Sequence, residues 1–395
     1  MGKNDKFLKR IDNICRAGDY TDAMYKLQDA LLEQPDDGDL LWKLVEVYSL
    51  KKDDENAVKT LSKIVKYRIK APDYVIGYIK QDFRRAFPYS KAADFFLFEL
   101  YIQRRDYRNA ALVLKVTKGD DLQKMENELA DKAGKLLKVG GEEETLKKNF
   151  DLFCSLVIVR FLLKKENAFD PVEGVFRLKM ADFYQDVRAL FLALAPLDSV
   201  NPYPYFFAGR ADMALGETDE ALDHFLSAVK IRHALAAPAG EELAPDLEKI
   251  EGSPAGLKAL ADLSYFGEDY EKAVSYISRL VEKESNPDNL SFLEEYLTDI
   301  YLKTGPLTPV LLAQCRFQIS AGQYDEAFRK LTQVKGFSSP DVKSLLTELL
   351  DKVSDKSAAF KLLGDVKSTE GKTDEAVEAY EEVFRMDKGY ADYLA

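Results

Sequence analysis

One phrase recurs seven times along this chain. It reads AGDYTDAMYKL at 17–27, KKDDENAVKTL at 51–61, RRDYRNAALVL at 104–114, LGETDEALDHF at 215–225, GEDYEKAVSYI at 267–277, AGQYDEAFRKL at 321–331 and EGKTDEAVEAY at 370–380. Each copy has a short polar turn, often with Gly, then Asp or Glu, then Ala, then a large apolar residue four positions on. The turn ends one helix, and Gly18, Gly216, Gly322 and Gly371 suit a left-handed cap. The acids that follow lie in the first turn of the next helix, where its dipole favours negative charge. An Ala at a fixed place lets two antiparallel helices approach closely, and the residue four later shares its face and fills the core. Each phrase therefore predicts the bend of a helical hairpin. No alternation of the strand type holds for a full element.

The phrase resembles the tetratricopeptide repeat (TPR), a 34-residue helix–turn–helix unit. Gly18, Ala23, Leu27, Ala30 and Pro35 fall at that family's spacing, as do Leu44, Tyr48, Ala57 and Leu61. Gly209, Gly216, Ala221, Phe225 and Ala228 repeat it, and so do Leu363, Gly364, Gly371, Ala376 and Tyr380. The resemblance implies an all-α, TPR-like helical-hairpin solenoid. The key alanines are Ala23, Ala57, Ala110, Ala221, Ala273, Ala327 and Ala376, with separations of 34, 53, 111, 52, 54 and 49. Only the first is the ideal period. The excess predicts extra inserted helices, at Asp73–Ala86, Pro287–Lys303 and Ser339–Val353. The longest gap predicts a degenerate unit near 168–201, with Val187, Phe191 and Leu194 at its packing positions. Gly140-Gly141 reads as a subdomain break, and Ala236–Gly256, with three Pro and three Gly, as a long connection with at most one short helix. The expected organisation is an N-terminal array at 1–139, a middle segment at 142–235 and a C-terminal array at 253–395.

Chemistry is hard to find in this sequence. His224 and His233 are nine apart and do not share a helix face, and no HExxH, CxxC, GxSxG or phosphate-loop spacing occurs. Cys15, Cys154 and Cys315 lie far apart and read as core thiols of a reducing compartment. The expectation is a non-enzyme without catalytic, cofactor or metal residues. The N-terminus has no secretory pattern, and the most apolar stretch, Phe150 to Leu163, carries Asp151 and Arg160 and reads as a buried helix. These features predict a cytoplasmic protein. Net charge is −12, which speaks against general nucleic-acid binding, yet Lys51–Lys115 holds 15 basic and 8 acidic residues. That stretch could meet an acidic partner. Arg84-Arg85 and Arg104-Arg105 beside aromatics keep a nucleic-acid-associated solenoid as the weaker reading.

The resemblance also implies a binding surface, on the first helix of each unit. Carried over, its positions are Trp42 and Glu46, Phe95 and Glu99, then Tyr203, Phe206 and Arg210, and finally Leu312 and Arg316. Trp, Tyr, Phe and Arg are types that dominate binding energy at interfaces. Inserted helices covering these positions would instead make them core. The carboxylate clamp that some such proteins use on peptide C-termini fits poorly. Lys9 and Asn13 are one residue out of register, about 100° around the helix. The function expected is a non-catalytic scaffold or adaptor that binds a partner protein or peptide. The alternative is a regulatory subunit that responds to a ligand or peptide. The nine residues 387–395 are too few for a capping helix over the last hairpin, so self-association through the C-terminal face is expected too.

Overall fold

The computed structural model describes residues 4–139, 141–283, 291–305, 307–334 and 339–386, and among these residues the regular elements are helices, without strands. The chain forms two compact units, Met1–Ser199 and Val200–Ala395.

In the first unit α1 (Asp5–Arg16) and α2 (Tyr20–Glu33) make one hairpin, and α3 (Gly38–Lys51) and α4 (Asp54–Lys66) a second. After α5 (Pro72–Tyr78), a π turn at Ile79–Phe83 and α6 (Arg84–Ala86), helices α7 (Lys91–Gln103) and α8 (Tyr107–Lys115) make a third hairpin. The recurring phrase builds each bend in the same way. Asp19, Asp53 and Asp106 accept hydrogen bonds from the backbone N–H three residues on, a helix cap that contributes about 1 kcal/mol. The residue before each cap is left-handed: Gly18 at φ +82°, but Lys52 at 60° and Arg105 at 58°. Ala23, Ala57 and Ala110 are fully buried, together with Leu27, Leu61 and Leu114. The inserted turn of helix expected at 73–86 is α5–α6, which buries Val75, Ile79 and Phe83.

The rest of this unit is α9 (Gly119–Val139), α10 (Glu142–Lys148), α11 (Phe150–Leu162), α12 (Asp170–Arg177) and α13 (Tyr184–Leu194). The apolar stretch is α11, buried on most sides. Its Arg160 reaches Glu126 of α9 at 2.8 Å, and Lys165 just beyond α11 reaches the other oxygen of the same carboxylate at 2.8 Å. Val187, Phe191 and Leu194 of the degenerate unit are fully buried on α13.

In the second unit the hairpins are α14 (Tyr203–Leu215) with α15 (Thr218–Ile231), α18 (Pro254–Phe266) with α19 (Tyr270–Lys283), α21 (Thr308–Ser320) with α22 (Tyr324–Leu331), and α24 (Lys356–Thr369) with α25 (Thr373–Met386). Between them lie α16 (Ala236–Leu243), α17 (Leu247–Glu251), α20 (Ser291–Thr304) and α23 (Pro340–Leu349). A Cβ at Gly209 would sit 2.9 Å from the Phe225 ring, and one at Gly364 would sit 2.4 Å from the Tyr380 ring. Glycine there is what lets the two helices of a hairpin close. Leu293, Leu297 and Ile300 of α20 and Val342, Leu346 and Leu349 of α23 are buried, so both inserted helices belong to the core.

One expectation is corrected here. Ala236–Gly256 is not a long connection but nearly continuous helix, because its prolines fall where helices tolerate them. Pro238 is in the first turn of α16, and Pro254 opens α18 behind the Ser253 cap. The division between the two compact units falls after Ser199. The position of Gly140 and the starts of the inserted helix at 287–290 and of the tail at 387 lie outside the described residues.

Candidate functional site

The facing positions on the first helix of each hairpin meet different fates. On α3, the Trp42 ring stands edge-on to Tyr74 and Tyr78 of α5, with centroids 5.7 and 5.0 Å apart. Its indole N–H is buried without an acceptor. Glu46 stays exposed and holds Lys43 at 2.7 Å. On α7, Phe95 is half-buried, while Glu99 is reached by water yet surrounded by protein mass. That desolvation pushes the Glu99 carboxyl above its usual range, with Lys132 pulling the other way.

On α14, Phe206 is buried against Phe207 and Phe225. Arg210 pairs with Glu242 of α16 at 2.8 Å and lies over the Phe207 ring. Tyr203 accepts a hydrogen bond from Arg232 at 2.9 Å. Counting back from Ala273 puts Lys258 and Asp262 at the equivalent places on α18, with Tyr265 one turn further on, and the sequence reading passed over them. Tyr265 stacks on Tyr296 of α20, 4.4 Å between centroids, and donates to Asp299 at 2.6 Å. An inserted helix supplies the partner of Arg210 and of Tyr265, whereas Phe206 packs within its own hairpin and Tyr203 meets Arg232 just beyond α15.

On α21, Leu312 is half-buried against the core of the last two hairpins. Arg316 differs. It bridges Glu282 of α19 at 2.6 Å and Asp341 of α23 at 2.9 Å, and it lines an open concavity of about 440 Å³. The concavity has Val281, Ile319 and Leu345 as apolar walls, with Ser320, Ser344 and the Glu348–Lys352 pair, at 3.0 Å, around them. The lining charges are already paired, so the site offers shape, apolar contact and hydroxyls rather than net charge. Cys315 beside Arg316 is no nucleophile: burial, and after it the Glu348 charge, push its thiol up to about 12. The α23 wall was missed in the sequence. Ser339-Pro340 signals a helix start there but not where the helix packs.

A second recess, of about 620 Å³, lies between α16–α17 and α18–α19. Ala237, Leu243, Leu247, Leu260 and Leu263 line it, with Glu241, Asp269 and Lys272 among its polar residues. Among the described residues no cluster of three or more His, Cys, Asp or Glu could hold a metal ion, and no helix is long and apolar enough to cross a membrane.

Comparison with known proteins agrees with the hairpin geometry. Residues 16–74 and 361–390 each match the tetratricopeptide repeat family. The chain thus carries tetratricopeptide repeats in both of its compact units, and its described residues are all-α, built on helical hairpins of that kind. Among solved structures it is similar to the P58(IPK) TPR domain, at 13% identity over 89% of this chain and 98% of that one, with a TM-score of 0.22. It is also similar to yeast Tom70, at 14% identity over 98% of this chain and 93% of that one, with a TM-score of 0.17. No curated protein sequence matches it.

Proposed function

We propose that this protein is a non-catalytic, cytoplasmic scaffold or adaptor that holds a partner protein or peptide at the Arg316 concavity of its second unit. The TPR architecture supports a role in protein interaction. The observation that carries the site is the concavity itself. Three elements converge on it, Val281, Ile319 and Leu345 give a mostly polar lining an apolar part, and its ion pairs are made before any partner arrives. Preformed pairing lowers the ordering cost of binding. An apolar side chain of the partner would fill the space between Val281, Ile319 and Leu345. Filling that space by Ser344→Trp, at an exposed position, tests the reading. Partners captured by the wild-type chain should be lost from the variant at unchanged thermal stability. Capture of the same partners by both would overturn it.

The recess between α16–α17 and α18–α19 favours the second reading, a subunit that responds to a small ligand. Its volume is that of a small-molecule site and its walls are largely apolar. Ligand-dependent compaction in small-angle scattering would support that reading over a plain scaffold. Self-association belongs to the proposal as well: α25 leaves Val377 and Met386 about half exposed, at 49% and 47%. Val377→Glu should then reduce any concentration-dependent mass seen by light scattering, and a strictly monomeric wild-type chain would remove this element.

A further inference from the structure

We infer that the outward face of α4 is a docking ridge for an acidic segment of a partner protein. The inference rests on the scaffold reading but uses a separate surface. Lys59, Lys63 and Lys66 recur at i, i+4 and i+7, so they share one face of α4. Ala57, Leu61 and Ile64 are buried on the opposite face and fix its rotation. Arg68 and Lys70 continue the row beyond the helix end. All five cations are exposed, and among the described residues none of them makes an ion pair. Lys70 instead lies 4.9 Å from the Tyr74 ring centroid.

The neighbouring cations are different. Arg84, Arg85, Lys91, Arg104 and Arg105 are paired with Asp94, Asp82, Asp121, Asp73 and Asp151. Of the cations of the 51–115 stretch that make no ion pair among the described residues, Lys59, Lys63, Lys66, Arg68 and Lys70 form one row on α4 and its C-terminal turn, while Lys51, Lys52, Lys80, Arg108 and Lys115 are spread over other elements. Helix polarity accounts for part of this, since Lys63 and Lys66 occupy the last turn. The dipole amounts to only about half a unit charge, however, and it does not reach Lys59. Glu55, one turn before Lys59, is the single acid on that face of α4.

Size and chemistry then select the occupant. The row from Lys59 to Lys66 rises about 10 Å, and the turn to Lys70 extends it, a length that suits roughly five extended residues. A short acidic segment feels this row alone, because charges more than about 8 Å away are screened at physiological salt. A nucleic-acid strand gains less here: of the two exposed tyrosines beside the row, Tyr67 and Tyr74, the second is already engaged by Lys70 and Trp42, whereas strand-binding surfaces use several free stacking platforms.

The test uses the full chain and a fluorescent peptide of Asp and Glu, with its Asn and Gln counterpart as control, followed by anisotropy. Lys59→Gln/Lys63→Gln/Lys66→Gln should weaken binding about tenfold. Lys115→Gln/Lys118→Gln/Lys124→Gln, which removes the same charge elsewhere in the unit, should leave it near wild type. Ser344→Trp should not change it, so failure of the ridge and failure of the concavity are read separately. No binding of the acidic peptide, or equal loss in both triple variants, would overturn the inference. So would ridge-dependent binding of a single-stranded oligonucleotide or of phosphatidylserine vesicles that matches or exceeds that of the peptide.

Discussion

Trp42 on α3 meets Tyr78 on α5 edge to face, with ring centroids 5.0 Å apart and planes at 80°. A position that faces outward in a plain hairpin stack is thereby closed by an inserted helix. Trp42 is the single tryptophan of the chain, so its fluorescence reports on this contact alone. Tyr78→Ala should shift the emission to the red and destabilise the chain by roughly 2–4 kcal/mol, from lost burial and the lost ring pair. Unchanged emission would mean that α5 does not cover Trp42.

The hairpins close on small residues. Ala110 and Ala221 are fully buried, and Gly209 lies under the Phe225 ring. Ala110→Leu and Ala221→Leu should each cost about 1–3 kcal/mol through overpacking, and Gly209→Val a similar amount. Thermal or urea melts check this, and no loss at any of the three would contradict the assigned register.

How far the sequence could be read follows from the same residues. The hairpins were legible because one local phrase carries every signal they need: a left-handed turn, an acid at the helix start, a small residue and a large one. The inserted helices were legible as spare length and as starts such as Pro340, but their packing was not. Arg210 and Arg316 sit at the positions the repeat predicts, yet what they touch is Glu242 of α16 and Asp341 of α23, residues 32 and 25 positions away. Such long-range pairs leave no periodic trace in one sequence. The helicity of 236–251 was missed because prolines were read as breakers where they occupy first turns.

The turns offer a stabilising change. Lys52 holds the left-handed conformation at φ 60° that Gly216 holds at 78° in the equivalent bend. A non-glycine residue there costs about 1–2 kcal/mol, against which glycine loses more entropy on folding. Lys52→Gly should therefore raise stability by up to about 1 kcal/mol, whereas Gly216→Val should lower it. Urea midpoints compare the two, and a loss of stability in Lys52→Gly would contradict the turn geometry.

Glu126 gives a pH signature. Burial alone would raise its carboxyl pKa, but the hydrogen bonds and charges of Lys165 and Arg160 outweigh burial and hold it below the usual range. A depressed folded value means that its contribution is complete above the ordinary carboxylate pKa of about 4.3 and is lost as pH falls through the lower folded value. Glu126→Gln should cost roughly 2 kcal/mol at neutral pH. The difference from wild type should narrow progressively below about pH 4.3. A difference independent of pH would contradict the ionised clasp.

The central claim is that partners are held at the Arg316 concavity of the second unit, and site-specific photocrosslinking tests it most directly. A benzophenone side chain at Ser344, which lines the concavity, is compared in cells with one at Arg329, on the exposed side of α22. The account predicts a discrete crosslinked partner from position 344 and none from position 329. Crosslinks of equal yield from both positions, or a partner captured from 329 alone, would contradict it.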